Sequence, residues 1–313
     1  EALWRDLGET HYLPTNLLYV ARRASDWYAA TSGELDAMGI AHRSVSSAEI
    51  AARLPMLRPD GITEAFEAEG AGMLFASRIV TALARWLDEA GVALHPHSRV
   101  SDVDVGDHAV AQRADRRDVD AEAGRFTVNG ERRSADMVAI AAGAWLPAIY
   151  PAARPRLTPS RQVMLYLEPP AELAAAWAAA PVLVDQGLTH GGYILPPRGG
   201  TRLKLGDHVF TRRGDGSDDR IATAEDVAVV TTAAGEIFAG FERYRLLEAK
   251  VCYYTVTDDE RFVVEPIGTK GWLLSACSGH GFKLGPLIAS GLADAIVGKR
   301  DAAEVTAWAA GKG

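Results

Sequence analysis

Lysine, cysteine and histidine set among glycines and strand-like runs are the parts of this sequence that could do chemistry. The sharpest feature is the turn Ser278-Gly279-His280-Gly281-Phe282-Lys283. Two glycines let a backbone approach a ligand closely. They sit just before a helix start, where free N–H groups and the macrodipole favour negative charge. A flat cofactor that becomes anionic on reduction gains from that placement. A plain strand–helix turn is the bland alternative. The turn is not a dinucleotide fingerprint, because the third glycine of G-x-G-x-x-G is absent. Lys283, in the first turn of that helix, is poorly placed for the dipole, which hints at a use. Lys204 lies in the alternating stretch Leu203-Lys204-Leu205 and faces either solvent or a site. His208 follows four residues on. Cys252 and Cys277 are the two cysteines, too few for a disulfide framework or a cysteine-based zinc site. A free cysteine is commonly a small buried packing residue, and Cys277 reads that way.

Strands, helices and turns must position these residues. Gly271–Ala276 reads as a buried strand entering the turn, and Leu284–Val297 as the helix leaving it. Met137–Ala142 is a continuous apolar run ending in Gly143-Ala144-Trp145, the form of a strand covered on both faces. Upstream, Leu17–Arg22 reads as a strand and Ser25–Met38 as a helix closed by Gly39. Ser46-Ser47-Ala48-Glu49 is a capping box for a short helix to Leu54. Phe75–Ala90 carries Ile79, Val80, Leu83, Trp86 and Leu87 at helical spacing and ends at Gly91. Val92–Leu94 and Arg99–Val105 alternate like strands. Asp107–Gly124 is charged and reads as an exposed hairpin. Phe126–Gly130 is a hairpin with an Asn-Gly turn. Beyond the prolines of 151–158, Arg161–Leu167, Gly192–Pro196, Thr201–Leu205 and Val251–Thr257 read as strands, with the helix Ala224–Phe238 among them. The order predicts an α/β domain with a parallel sheet, interleaved with an α+β domain on a mostly antiparallel sheet.

Composition bounds the function. At 313 residues the chain is long enough for about two domains. With 48% hydrophobic and 24% charged residues, disorder of the whole chain is excluded. A net charge of −8 argues against nucleic acid or an anionic membrane as the main partner. No uncharged apolar run reaches the ~18–20 residues of a membrane span. Two cysteines point to a reducing, cytoplasmic compartment. The chain opens Glu1-Ala2-Leu3-Trp4, without the basic and apolar regions of a signal peptide, and reads as the middle of a helix.

Several segments together resemble one family. Ala276-Cys277-Ser278-Gly279-His280-Gly281-Phe282-Lys283 is similar to the C-terminal flavin-contacting turn of the monomeric sarcosine oxidase and N-methyltryptophan oxidase family, within the D-amino acid oxidase superfamily. Lys250–Phe262 resembles that family's covalent-flavin segment. Arg202–His208 resembles its oxygen-activating lysine segment, and Ala141–Trp145 its central flavin-domain strand end. The resemblance runs in the family's order and extends to Leu3-Trp4 and Glu9-Thr10-His11.

The resemblance implies FAD as cofactor, with Cys252 joined through sulfur to the flavin. It implies flavin contacts from Gly143, Ala144, Trp145, Gly279, His280, Gly281, Phe282 and Lys283. Lys204 is implied to stabilise the anion that forms as electrons pass to O2. His208 and Tyr193 are implied on the substrate side, and Lys283 at the substrate carboxylate. The implied fold is a Rossmann-like flavin domain of glutathione-reductase type over 68–156 and 258–313, interleaved with a substrate domain over 11–67 and 157–257. The implied reaction oxidises a secondary amine, an N-alkyl or cyclic amino acid, to an imine while O2 becomes H2O2. Alternatives are a dehydrogenase using a quinone or protein acceptor, and a non-catalytic fragment. The expected partners are a small-molecule amine and O2, with no metal. Members of the family begin with a strand, a G-x-G-x-x-G turn and a helix for the ADP half. These residues contain no such segment, so it is expected to have been removed, to lie upstream or to come from another chain; a monomer is expected unless another chain supplies it.

Overall fold

In the computed structural model the described residues are 2–23, 26–106, 123–189, 191–207, 209–275 and 277–312. The elements in chain order are α1 (Ala2–Leu7), β1 (Tyr12–Pro14), β2 (Leu17–Ala21), α2 (Asp26–Ala37), β3 (His42–Ser44), α3 (Ser47–Arg53), β4 (Glu64–Ala68), β5 (Gly72–Leu74) and α4 (Ala76–Glu89). Next come β6 (Val100–Asp104), β7 (Gly124–Val128), β8 (Glu131–Ala135), β9 (Val138–Ile140) and the one-turn α5 (Leu146–Ile149). The remainder is β10 (Thr158–Glu168), α6 (Ala174–Ala179), β11 (Val182–Asp185), β12 (Gly192–Leu195), β13 (Leu203–Asp207), α7 (Ala224–Ile237), β14 (Arg245–Val256), β15 (Val263–Ile267), β16 (Gly271–Ser275), α8 (Gly281–Ile296) and α9 (Ala302–Ala309).

One large sheet carries most of the core. Its order is β14-β10-β13-β12-β11-β2-β4-β3, and every pair is antiparallel except β11 with β2. Successive side chains of a strand point to opposite faces. On one face, Leu18, Val20, Leu165, Leu167, Leu183, Ile194, Leu203 and Leu205 pack against Trp177 of α6 and Val230, Ala234 and Ile237 of α7. Burying each such side chain is worth roughly 1.5–3 kcal/mol. The other face is split. At one end Tyr19, Phe66 and Ala68 pack with Tyr28 and Leu35 of α2. The other end, on β10, β12, β13 and β14, carries Gln162, Tyr193, Lys204, Gly206, Cys252 and Tyr254 by the same alternation.

A second, three-stranded sheet has the order β15-β16-β9, with β16 and β9 parallel. It packs on α8 and α9 through Val264, Trp272, Ile288, Leu292 and Val305. The third sheet, β6-β7-β8, contains the Asn129-Gly130 turn, both residues at positive φ as a tight hairpin needs.

Several expectations are corrected. Val92–Leu94 forms no strand; Val92 and Leu94 are exposed and follow α4 as an irregular segment. Val138–Ile140 is the only paired part of Met137–Ala142, and it is not covered on both faces, since Ala139 is exposed. The capping box at Ser46 is half formed. Ser46 accepts from the Glu49 backbone N–H, but the Glu49 carboxylate is taken by Arg43 and Arg53. α8 begins at Gly281, three residues earlier than expected, and Lys283 lies in its first turn, as expected. The charged stretch at 107–122 lies outside the described residues.

Candidate functional site

Lys204 and Tyr193 meet because β13 and β12 pair antiparallel, placing Tyr193 opposite Gly206 and Leu195 opposite Lys204. A Cβ at Gly206 would lie 2.5 Å from the Tyr193 ring, so a glycine is what lets that ring cross the strand. The Lys204 ammonium stands 5.3 Å from the centre of the same ring, within cation–π range. Among the described residues no carboxylate pairs with Lys204 at ion-pair distance. Burial pushes its pKa down, and the Cys252 sulfur partly restores it.

Cys252 lies on β14 directly opposite Gln162 of β10. Burial raises the thiol pKa, and Lys204 is the strongest charge opposing that rise. Two residues along, on the same face, stands Tyr254. The Tyr254 and Tyr193 phenols lie close enough for each to shift the titration of the other. Burial lifts both, Tyr254 to about 12, so both stay protonated at neutral pH.

The turn after β16 closes the end of this face. The Ser278 backbone N–H donates to the Thr255 carbonyl at 3.0 Å. Ser278 and Gly279 have φ of 39° and 77°. A Cβ at Gly279 would lie 3.2 Å from the Tyr254 ring, so the turn rests on that tyrosine. At Gly281 a Cβ would lie 2.5 Å from Cys277, which explains glycine at the first position of α8. Lys283 remains accessible to solvent, and desolvation by partial burial lowers its pKa. Phe282 beside it is 44% exposed.

The segment Gly143-Ala144-Trp145 follows β9 as a single 3-10 turn with Gly143 at φ 53°. Its Trp145 ring packs under the Arg220 guanidinium at 5.5 Å, and Arg220 also covers the Tyr253 ring at 4.4 Å. Tyr253 points to the face of β14 opposite Cys252. The structure therefore gathers Tyr193, Lys204, Cys252, Tyr254, Cys277 and the Ser278–Gly281 turn, with Gly143–Trp145 across β14 from them. The position of His208 lies outside the described residues.

Sequence reasoning missed Tyr254, although counting two residues on from Cys252 along a strand finds it. Ser160 and Gln162 were also missed. Their place beside Tyr254 and Cys252 depends on the β10–β14 register, which no local signal encodes.

Flavin fits this arrangement on two observations. Ser278 Oγ is buried at the end of the face with no hydrogen-bond partner in the structure, and Thr255 Oγ1, on the opposite face of β14, is likewise unpartnered. Lys204 and Lys283 are cations held under desolvation. Groups of that kind suit a polar ring that carries negative charge when reduced. A cavity of about 480 Å³ between β15 and α9 contains none of these residues.

A family model described as FAD dependent oxidoreductase (DAO) matches residues 1–295. The chain belongs to this FAD-dependent oxidoreductase family. Among curated proteins it is 26% identical to monomeric sarcosine oxidase of Bacillus sp. (strain B-0618) over 78% of the chain. That match spans 60% of the relative's length. It is 25% identical to N-methyl-L-tryptophan oxidase of Salmonella heidelberg (strain SL476), covering 93% of the chain and 71% of that protein. Among solved structures, glycine oxidase from Geobacillus kaustophilus aligns with a TM-score of 0.71 at 19% identity, over 94% of this chain and 74% of that one. The family's FAD dependence agrees with the α/β flavin-binding architecture. Among the described residues no helix is long and apolar enough to cross a membrane.

Proposed function

We propose that this chain forms the catalytic face of an FAD-dependent oxidase of secondary amines, acting on N-alkyl or cyclic α-amino acids with O2 as acceptor. The observation that carries the reading is the convergence of Lys204, Tyr193, Cys252 and Tyr254 on one sheet face capped by the Ser278–Lys283 turn. FAD, when bound, accepts two electrons and a proton equivalent from the carbon beside the amine nitrogen and hands the electrons on to O2. Lys204 holds a fixed positive charge where O2 takes on negative charge. The Tyr193–Tyr254 pair orients the substrate through neutral hydroxyls, and Lys283 binds its carboxylate as a point charge. His208 adds a substrate-side group. The flavin contacts belong to Gly143, Ala144, Trp145, Gly279, His280, Gly281 and Phe282, with Cys252 as the covalent anchor. Lys204 favours O2 over a quinone or protein acceptor.

The reading divides the chain into a flavin unit, 68–156 with 258–313, and a substrate unit, 11–67 with 157–257. The large sheet supports it by drawing its strands from residues 17–68 and 158–256. The 313 residues contain no G-x-G-x-x-G. Among the described residues β9 is hydrogen-bonded to one neighbour, β16. The test is acid denaturation of the flavoprotein, followed by separation of small molecules. Colour stays with the wild-type polypeptide and leaves it in Cys252→Ser. Free flavin released from the wild type contradicts the anchor.

A further inference from the structure

Resting on that reading, we propose that Phe210 sets how bulky a substrate side chain the site admits, and that Ser160 is the positioning residue that holds it there. Phe210 belongs to the segment between β13 and α7, which crosses the ends of β10 and β14. Its ring meets Tyr254 edge-on, with centroids 6.2 Å apart at 80°. Tyr254 is bounded on another side by Gly279 and its phenol lies near that of Tyr193, which faces the Lys204 ammonium. Phe210, Tyr254 and Tyr193 thus form one aromatic line leading to Lys204. Phe210 extends that wall by one ring beyond the two tyrosines.

The segment is pinned rather than loosely laid. The fully buried Ser160 Oγ accepts from the Arg212 backbone N–H and from Gln162 Nε2, each at 3.0 Å. Thr211 Oγ1 donates to the Arg161 carbonyl at 2.9 Å, and the Arg161 backbone N–H donates to the Arg213 carbonyl at 2.9 Å. Arg212 is held at φ 51°, a conformation that a non-glycine residue adopts only when its surroundings fix it. Its guanidinium reaches Asp258 at 2.7 Å and the Thr257 carbonyl at 3.3 Å. Gln162 and Ser160 stand opposite Cys252 and Tyr254, so the latch is built on the strand face that carries the site.

The test compares one small and one indole-sized ligand on the flavin-loaded enzyme. Oxidation is read as kcat/KM for N-methylglycine and N-methyl-L-tryptophan. Binding is read by calorimetry with methoxyacetate and indole-3-acetate, which does not depend on turnover. Phe210→Ala is expected to shift both ratios about tenfold toward the larger ligand, the scale of one reshaped apolar contact. Ser160→Ala shifts them the same way by less, and Ser160→Thr stays near wild type. Unchanged ratios in Phe210→Ala overturn the proposal, as does an equal effect of Ser160→Ala and Ser160→Thr. A wild type that oxidises neither amine contradicts the oxidase reading, while the calorimetric ratio still decides the role of Phe210.

Discussion

Lys204 is the residue on which the oxidase reading depends most. Its neighbours Leu203 and Leu205 are buried in the core, so the strand forces Lys204 onto the opposite face with Tyr193. Lys204→Met should slow reoxidation by O2 about 10²–10³-fold while leaving reduction by substrate much less affected, because a single fixed charge at a charge-developing step is worth that much. Rapid mixing resolves the two half-reactions; equal damage to both contradicts the assignment. The pH dependence follows from the same charge. Burial places the lysine pKa below its ordinary value, so the ammonium is present at low pH and is lost as pH rises through that depressed pKa. Reoxidation should therefore decline at a pH below that of an ordinary lysine, and the decline should vanish in Lys204→Met. At this scale Lys204 and Cys252 were legible because a lysine in an apolar alternation and the family-like segments around both residues mark them out. Phe210 and Ser160 were not, since their importance arises from the partners the fold brings to them.

At the scale of elements, the site depends on strands keeping their register. Gly206 shows how tightly. Its missing Cβ is the space occupied by the Tyr193 ring, so Gly206→Ala forces that ring aside. Overpacking of this kind costs about 1–3 kcal/mol. A lower Tm is expected, and an unchanged Tm contradicts the packing described here. Helices with strong periodicity, such as α4 and α7, were legible in the sequence, because an apolar stripe needs only local spacing. β4 was not. Its Glu67 is nearly buried through ion pairs with Arg43 and Arg53, at 2.8 and 2.9 Å, so a core-side position is written as a charge. β11 was hidden by its length of four residues and by the proline before it. Its parallel pairing with β2 joins segments more than 160 residues apart, which no local pattern encodes.

Across the whole molecule, the large sheet is better enclosed than the β15-β16-β9 sheet. The large sheet is covered by α6 and α7 on one face and partly by α2 on the other. By contrast, α8 is apolar on both sides: Ile288 and Leu292 pack inward, while Phe282, Leu284 and Leu287 are exposed. Met137 and Ala139 at β9 are exposed as well. Phe282, Leu284 and Leu287 leave an apolar stripe of α8 on the surface of the described residues. The interleaving of the two sheets was anticipated from the strand–turn–helix unit near the C-terminus. The thinness of the β15-β16-β9 sheet was not, because a continuous apolar run reads the same whether one or both of its faces are covered. The central claim is amine oxidation by a flavin held on the Lys204–Cys252 face. It is tested most directly by mixing the flavoprotein, isolated from its own cells, with N-methylglycine or N-methyl-L-tryptophan without oxygen. The account predicts that at least one amine bleaches the flavin, and that admitting O2 restores the colour with one H2O2 formed per amine consumed. A flavin that dithionite reduces but neither amine does would contradict it.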